Sequence, residues 1–234
     1  MALTLLTANR NYSSWSLRPW LLMKVLGIPF EDRIELFAKP ANWAEFRAFS
    51  PTGQVPVLID EDAQGDRTVW DSLGIVLYLA DRDDSIWPQD EDARAFAMCA
   101  VTEMHGGFAA LRNQCTMNVG VRVRMAPHDA ALARDVARIR ELFEEGLDRF
   151  GGPWLAGPDF TAVDAFYAPV AFRVRTYGLD VGRGQAWVDH VLAHPAMLEW
   201  EAAALQEPWR EESHEAELAA AGSIVADYRM GSKT

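Results

Sequence analysis

The feature that most constrains how this chain folds is a proline inside a strand-like run. Residues 55–59, Val-Pro-Val-Leu-Ile, have the composition of a β-strand. Pro56 has no backbone N–H, so it belongs at a sheet edge, at the first position of a strand or in a special turn. A cis Val55–Pro56 bond is one such turn, and it directs the N–H and C=O of Val55 outward. We therefore expect Val55 to pair with an extended ligand, and an ordinary surface strand is the alternative.

A second feature, Asp71-Ser72, opens a helical pattern fifteen residues after Pro56. It brings a carboxylate and a hydroxyl to the free N–H groups of a helix N-terminus. Together with Val55, these groups could hold a small peptide at both of its ends. The alternative is that Asp71 is an ordinary N-cap.

Composition limits the class of protein. The chain has 234 residues and a formal net charge of −12, which argues against non-specific binding to nucleic acid or to anionic membranes. No stretch approaches the roughly 20 apolar residues that span a bilayer. Cys99 and Cys115 would lie about 24 Å apart on one straight helix, too far for a disulfide. The five histidines are scattered, so no metal site is expected, and we expect a reduced, cytoplasmic protein.

The first eighty residues alternate between strand and helix patterns, which predicts a mixed sheet with helices packed on it. Pro19 is expected in the first turn of the first helix. The predicted elements are strands at 3–7, 30–35, 55–60 and 67–70 and helices at 16–26, 43–49 and 72–80.

After an acidic segment the pattern becomes wholly helical. One apolar face recurs from Ala97 to Leu111 and a second from Leu132 to Phe150. The tail from Glu211 ends in polar residues that are expected to fray. The predicted class is therefore α/β followed by all-α. Its parts are a domain at 1–81, a linker at 82–92 and a helical domain at 93–234.

A cluster of serines lies where the first helix begins. Ser13, Ser14 and Ser16 follow the first strand, and the helix dipole there favours negative charge. A thiolate bound at this point would be stabilised, which lowers the pKa of its thiol. The alternative is that one of these serines only caps the helix.

These motifs resemble those of glutathione transferases. Ser13, Ser14 and Arg18 form a Ser-Ser-x-x-x-Arg pattern similar to the serine-using classes, especially zeta and more loosely tau and theta. Gln54-Val55-Pro56 resembles the cis-proline segment of the family, and Asp71-Ser72 resembles its acidic-serine pair.

A fourth match lies at Thr161 and Asp164, which fit the capping box in the buried helix of the family's second domain. The resemblance extends from Leu3 to about Leu205. It implies a thioredoxin-like N-terminal domain followed by an all-helical C-terminal domain, a co-substrate glutathione, no metal and a homodimer.

The resemblance also implies roles for single residues. Ser13 is the first candidate for the hydroxyl that hydrogen-bonds the glutathione sulfur, and Ser14 is the second. The backbone at Val55 and Pro56 is expected to pair with the cysteinyl part, and Asp71 and Ser72 with the γ-glutamyl end. The glycine carboxylate is expected near Gln54 and Lys39.

The helical domain is expected to supply the pocket for the second substrate. Gly106 and Gly107 interrupt a helical pattern there, each at a cost of about 1 kcal/mol relative to alanine, which suggests close packing or room for a ligand. The alternative for His105 and Arg112 is a packed histidine and a solvated arginine. The predicted pocket residues are Tyr12, Trp15, His105, Phe108 and Arg112.

Two positions depart from the family pattern. Zeta enzymes have a cysteine after the paired serines, whereas Trp15 stands here, which weakens the prediction of zeta-type isomerisation. Asp71 replaces the commoner glutamate, so its carboxylate reaches one methylene less.

The predicted function is a cytosolic glutathione transferase that adds the glutathione thiolate to a small hydrophobic electrophile. A glutathione-dependent isomerase or dehalogenase is one alternative, and it uses the same thiolate. A non-catalytic, transferase-like binding module is another. The identity of the electrophile does not follow from the sequence.

Overall fold

A mixed four-stranded sheet forms the first part of the chain. The computed structural model describes residues 2–36, 43–62 and 65–231. The elements of this part are β1 (Ala2–Thr7), α1 (Ser14–Val25), β2 (Glu31–Ile34), α2 (Trp43–Arg47), β3 (Val57–Glu61), β4 (Arg67–Trp70) and α3 (Ser72–Ala80).

The strands are ordered β2-β1-β3-β4, with β1 and β2 parallel and β3 antiparallel to both of its neighbours. Leu5 of β1 pairs in register with Leu58 of β3, and both side chains are fully buried. Helices α1 and α3 pack against each other and contact the sheet. The predicted mixed sheet and the thioredoxin-like class are confirmed.

Helix α1 begins earlier than predicted. The carbonyl of Asn9 accepts the N–H groups of Tyr12 and Ser13, and the Ser13 carbonyl then accepts the N–H of Leu17 at 3.2 Å. The helix therefore starts at Ser14, and Pro19 lies inside it rather than in its first turn.

Strand β3 begins later than predicted, at Val57. Val55 and Pro56 lie before it in a loop, because a proline cannot donate to the strand ladder. The Val55–Pro56 peptide bond is cis, as predicted.

The second part of the chain is built from seven helices in the described residues. They are α4 (Glu91–Gly106), α5 (Ala109–Gln114), α6 (Ala130–Phe150), α7 (Ala162–Tyr177), α8 (Gln185–Leu192), α9 (Pro195–Gln206) and α10 (Glu212–Ala221). Helix α7 is buried along nearly its whole length and packs on both α1 and α4, so it joins the two parts of the molecule. Among the described residues, none of the helices has the length and apolar character needed to cross a membrane.

The start of α7 is held by a buried carboxylate. Asp164 accepts the N–H groups of Leu155 at 2.9 Å and Thr161 at 3.1 Å, and the indole N–H of Trp187 at 2.9 Å. The bond from Thr161 forms the Asp164 half of the predicted capping box. Burial outweighs these hydrogen bonds and raises the pKa of Asp164 to about 6.

The predicted continuous helix through Leu111 was wrong. Helix α4 ends at Gly106, and Phe108 has a left-handed backbone with φ of 58°. The Gly107 N–H donates to the Glu103 carbonyl at 2.8 Å, and a Cβ at position 107 would lie only 2.7 Å from that oxygen. Glycine is therefore required where the chain leaves α4 and begins α5.

A two-stranded ribbon is an addition to the predicted helical domain. Strand β5 (Val121–Met125) pairs antiparallel with β6 (Gly222–Asp227), which belongs to the tail that was expected to fray. Arg229, just beyond β6, is buried and bonds to Asp227 and Glu215. The two strands are about a hundred residues apart in sequence, so no local pattern links them. The overall fold class is nevertheless confirmed.

Candidate functional site

A cavity of about 760 Å³ lies where the loops of the sheet domain face the helices. Its walls come from the β1–α1 loop, the segment before β3, the start of α3, and helices α4, α5, α7 and α10. Most of the residues that the sequence predicted for a site line this cavity. They are Tyr12, Ser13, Ser14, Trp15, Gln54, Val55, Pro56, Asp71, His105 and Arg112.

The serine pair lies at the N-terminus of α1. Ser13 is the N-cap residue of α1, but its side chain does not cap the helix; the hydroxyl instead donates to Ser16 Oγ at 2.7 Å. Ser16 Oγ also accepts the N–H of Ala8 at 3.2 Å. Ser13 is therefore the cavity end of a short chain of buried hydrogen bonds, in the positive field of a helix N-terminus.

The second serine contacts an arginine of the helical domain. Arg173 Nη2 lies 3.4 Å from Ser14 Oγ and donates to it. Arg173 Nε donates to the Cys115 carbonyl at 2.8 Å, which holds the guanidinium in place. The Ser14 hydroxyl keeps its own hydrogen for another acceptor.

The segment before β3 presents open backbone groups to the cavity. Ser50 Oγ donates to the Gln54 carbonyl at 2.6 Å and accepts the Gln54 N–H at 3.1 Å, which holds this loop. In the described ranges, neither the N–H nor the C=O of Val55 forms a hydrogen bond. Both groups are therefore able to pair with a bound chain.

Asp71 acts as an N-cap and lines the cavity as well. Its Oδ1 accepts the N–H groups of Leu73 at 2.9 Å and Gly74 at 3.2 Å, which caps α3. Its Oδ2 lies 3.3 Å from His105 Nε2. Ser72 is fully buried behind it, outside the lining, and its Oγ has no hydrogen-bond partner among the described residues.

Four of the five residues predicted for the second-substrate pocket line the cavity. Phe108 does not, because the chain reverses at this position and its ring packs against Tyr167 with a centroid separation of 6.4 Å. The ring of His105 meets the Trp15 ring edge-on at 5.3 Å. Burial and the neighbouring Arg18 lower the pKa of His105, although Asp71 opposes the shift.

The Tyr12 hydroxyl is already engaged. It donates to Glu215 Oε1 at 2.7 Å, and its ring stacks on His214 at 5.0 Å. Burial and the hydrogen bond to Glu215 raise the pKa of Tyr12.

Arg18 is buried rather than exposed. Its guanidinium lies 4.0 Å from the Trp15 ring centre and 4.8 Å from that of Phe166. None of its three nitrogens has a hydrogen-bond partner in the part of the chain that is described. Burial, and then the positive charges of Arg112 and Arg173, hold the pKa of Arg18 well below its ordinary value.

Sequence reasoning missed several lining residues. The clearest signal was Arg173, one of three charged residues in a helix that is otherwise mostly apolar. His214 and Glu217 belong to α10, in the tail that was expected to fray. The missed residues are Phe46, Thr52, Gly53, Asn113, Thr116, Met117, Arg173, His214 and Glu217.

Two further predictions concern metals and Lys39. Across 2–36, 43–62 and 65–231, no group of three or more acidic, histidine or cysteine residues is placed to hold a metal ion. Both cysteines are free, and burial raises the pKa of Cys115 to about 12. Lys39 lies outside the described residues.

Two family models match this chain. Residues 12–82 match the N-terminal domain of glutathione S-transferases, and residues 129–203 match the C-terminal domain. Together the two matches cover more than half of the chain, and they occur in the expected order.

Curated relatives align over shorter stretches. Glutathione S-transferase 1 of Schizosaccharomyces pombe is 38% identical over 71 residues, which is 29% of this chain and 31% of that protein. Dichloromethane dehalogenase of Methylophilus leisingeri is 51% identical over 55 residues, 23% of this chain and 19% of that protein. The chain thus spans less than a third of the length of either relative.

Solved structures share the fold over most of the chain. A glutathione transferase homologue from Burkholderia, with bound glutathione, has a TM-score of 0.63 and 19% identity, covering 87% of this chain and 98% of that one. FzlA from C. crescentus has a TM-score of 0.64 and 17% identity, covering 89% and 94%. With its two domain matches in sequence and this shared fold, the chain belongs to the glutathione S-transferase family.

Proposed function

We propose that this protein is a glutathione transferase that holds glutathione as a thiolate at Ser13 and transfers it to a small electrophile. The observation that carries the proposal is that one cavity unites the serine pair, the open backbone of Val55 and the Asp71 carboxylate. Three separate segments of the chain supply these groups, and each was predicted from sequence for this role.

The residues present fit the parts of glutathione. The N–H and C=O of Val55 have no partner among the described residues and match the backbone of a cysteinyl residue. Asp71 offers a carboxylate to the α-ammonium of the γ-glutamyl end. The Ser72 hydroxyl, predicted for the carboxylate beside that ammonium, is buried behind Asp71 and outside the cavity lining, so Asp71 carries the proposal at this end. Gln54 and Lys39 complete the proposal at the glycine carboxylate.

Ser13 would stabilise the thiolate by donating its hydroxyl hydrogen to the sulfur. A serine hydroxyl rotates freely, so Ser13 can turn its hydrogen away from Ser16 while Ser16 donates to Ser13 Oγ. The Ala8 N–H still donates to Ser16, so each donor in this chain polarises the next. Donation to the charged form favours ionisation of the thiol. Tyr12 is a poorer candidate because its hydrogen is given to Glu215.

The chemistry then requires only positioning and charge stabilisation. The sulfur electron pair forms a bond to the electrophilic carbon, the leaving group departs with the electrons of its own bond, and the thiol proton has already passed to solvent. Trp15 and Arg112 line the side of the cavity where the electrophile would lie.

Glutathione-dependent dehalogenation is the second candidate. It is supported by the 51% identity to a dichloromethane dehalogenase over 55 residues. Both candidates use the same thiolate, but a dehalogenase regenerates glutathione after the halide has left. Product analysis with a dihalomethane separates them, because only dehalogenation leaves the glutathione concentration unchanged while halide accumulates.

Calorimetric titration with glutathione and turnover of 1-chloro-2,4-dinitrobenzene test the proposal. Ser13→Ala should raise the pKa of the bound thiol, measured by thiolate ultraviolet absorbance, and lower kcat/KM by about 10- to 100-fold. Ser85→Ala, a serine remote from the cavity, is the matched control and should change neither. A larger effect in Ser14→Ala would move the role to that residue. No glutathione binding at millimolar concentration would reject the function.

The domain boundaries and the assembly belong to the same proposal. We propose a glutathione-binding domain at 1–81, a linker at 82–92, a helical domain at 93–234 and a cytoplasmic homodimer. Light scattering should then give a mass near twice the 26.1 kDa of one chain. A monomeric mass at micromolar concentration would contradict the dimer.

A further inference from the structure

Two of the buried arginines have no acidic partner among the described residues, and both lie at or beside the cavity. Among the described residues, four arginines are buried: Arg10, Arg18, Arg173 and Arg229. Arg10 and Arg229 each form an ion pair with a carboxylate. Arg18 and Arg173 form none in the described part of the chain, and neither does the half-buried Arg112.

Arg112 and Arg173 both line the cavity, and each uses only part of its N–H donors in hydrogen bonds with the described residues. Arg112 uses Nε on the Gly107 carbonyl at 3.0 Å and Nη2 on the Met104 carbonyl. Arg173 uses one hydrogen on each of its three nitrogens, toward Cys115, Pro169 and Ser14. A guanidinium carries five N–H donors, so each side chain has at least two that find no acceptor among the described residues.

The charge around these arginines is positive although the protein carries a net charge of −12. Burial and the charge of Arg112 lower the pKa of Arg173 only to about 10, so it stays protonated at neutral pH. Asp71 and Glu217 are the carboxylates among the described lining residues; Asp71 caps α3 through Oδ1 and is the proposed partner of the γ-glutamyl ammonium. Asp135 accepts the N–H of Leu111 and stands beyond ion-pair distance of Arg112.

An aromatic surface lies beside these guanidinium groups. The Trp15 ring lines the cavity and has the Arg112 guanidinium 4.7 Å and the Arg18 guanidinium 4.0 Å from its centre. Met117 adds a second apolar wall. The site therefore combines a flat apolar surface with unpaired cations, which suits a planar molecule that carries an anion.

We propose that the electrophile accepted by this cavity carries a carboxylate, which Arg112 and Arg173 bind while Trp15 packs on its apolar part. This inference rests on the proposed transferase function and names the class of its second substrate. Arg173 lies 3.4 Å from Ser14, so the carboxylate is bound close to the proposed thiolate. The anion and the reacting carbon must then belong to the same small group, such as one aromatic ring.

A matched pair of electrophiles tests this directly. The probes are 4-chloro-3-nitrobenzoate and 4-chloro-3-nitrobenzamide, with each rate divided by its uncatalysed rate with glutathione. The wild-type kcat/KM should favour the benzoate by about 10-fold or more. Arg112→Gln and Arg173→Gln should each lower the benzoate value by about 10- to 100-fold and change the amide value less than about 3-fold.

The controls separate anion binding from other roles. Arg122→Gln removes a half-buried arginine that donates to the Val119 and Val121 carbonyls outside the cavity, and it should leave both values unchanged. Arg112→Lys should keep part of the benzoate preference, because it retains the charge but not the fork geometry. If Arg173→Gln slows both probes equally and raises the pKa of the bound thiol, the arginine serves the thiolate and the proposal is overturned.

A measurement without glutathione distinguishes this inference from the proposed function. By calorimetry, the wild type should bind 3-nitrobenzoate at least about 10-fold more tightly than 3-nitrobenzamide. Arg112→Gln should bind the two ligands with equal affinity. If the protein binds glutathione but binds 3-nitrobenzoate and 3-nitrobenzamide with equal affinity, the carboxylate site is overturned and the transferase function stands. If it prefers 3-nitrobenzoate but does not bind glutathione, the anion site stands and the transferase function is rejected. Because Arg173 also has structural bonds, thermal melting of each variant checks that it is folded.

Discussion

The Tyr12 hydroxyl donates a 2.7 Å hydrogen bond to Glu215, which ties the loop before α1 to helix α10 at the rim of the cavity. Arg229 donates to the same carboxylate through Nη1 and Nη2. The Glu215 carboxylate thus links the C-terminal tail to the cavity, in addition to the β5–β6 pairing, in contrast to the fraying that the polar sequence of the tail predicts.

We expect Glu215→Gln to lower the free energy of unfolding by about 1–2 kcal/mol, because it removes the carboxylate charge that pairs with the buried Arg229. Urea denaturation measures the loss, and amide exchange in α10 should become faster. Glu199→Gln breaks an exposed pair with Lys24 and should cost less than about 0.5 kcal/mol. Equal effects of the two variants would contradict this role of Glu215.

Ser16 is expected to act through Ser13 on the bound thiol. Ser16→Ala removes the hydroxyl that links Ala8 to Ser13, so the pKa of bound glutathione should rise by about 0.5–1 and its dissociation constant should change little. Ser16→Thr retains a hydroxyl and should restore the wild-type value. An unchanged thiol pKa in Ser16→Ala would show that the chain of hydroxyls has no such effect.

Asp71 allows its capping and binding roles to be separated. Asparagine is as good an N-cap as aspartate, so Asp71→Asn should leave stability nearly unchanged. It should weaken glutathione binding by about 10-fold through the loss of the charge, measured by calorimetry. Asp90→Asn, at the cap of α4, is the matched control and should affect neither. If Asp71→Asn binds glutathione as tightly as the wild type, Asp71 has the capping role only.

Asp164 is expected to be the costliest of these carboxylates to remove. Asp164→Ala leaves three buried donors without an acceptor and should lower the free energy of unfolding by about 3–5 kcal/mol in urea denaturation. Asp189→Ala, which removes an exposed side-chain hydrogen bond with Gln185 on α8, should change this free energy by less than about 0.5 kcal/mol. A loss below about 1 kcal/mol in Asp164→Ala would mean that water satisfies these donors.

Acid should loosen the start of α10 through Glu211. Burial acts to raise the pKa of Glu211, but its hydrogen bonds with Ser213 and His214 outweigh burial and hold the pKa at about 2, below its ordinary 4.5. The stability from this group is therefore present above pH 4.5 and is lost as the pH falls toward 2. The difference between wild type and Glu211→Gln, about 1 kcal/mol after solvent screening, should shrink over that range. A constant difference would contradict the shifted pKa.

The strand and helix order of the first eighty residues was predictable because each element carries its own local pattern. Helix α3 begins and ends at the predicted residues, where Asp71 caps it. Pro56 likewise limits its own backbone geometry, because proline is the one amino acid without a backbone N–H. The boundaries of α1 and β3 moved by two residues, because the turn at Asn9 and the proline loop decide them.

Contacts between distant segments were not predictable. Strands β5 and β6 pair because the intervening helices bring them together. A short alternating run such as Val121–Met125 is too weak a pattern to predict a strand by itself. The burial of Arg18 was also unexpected, because an arginine on a helix is ordinarily exposed.

The sequence by itself determined the fold class, the family and the three segments proposed to bind glutathione, because each of these rests on residues whose chemistry acts locally: a proline, a helix cap and a serine pair. Only the tertiary structure decided which helical residues face that site. Arg173 stands about 160 positions from Ser14, yet the packing of α7 on α1 places them 3.4 Å apart. Sequence spacing carries no information about such a distance, since the packing of whole helices determines it.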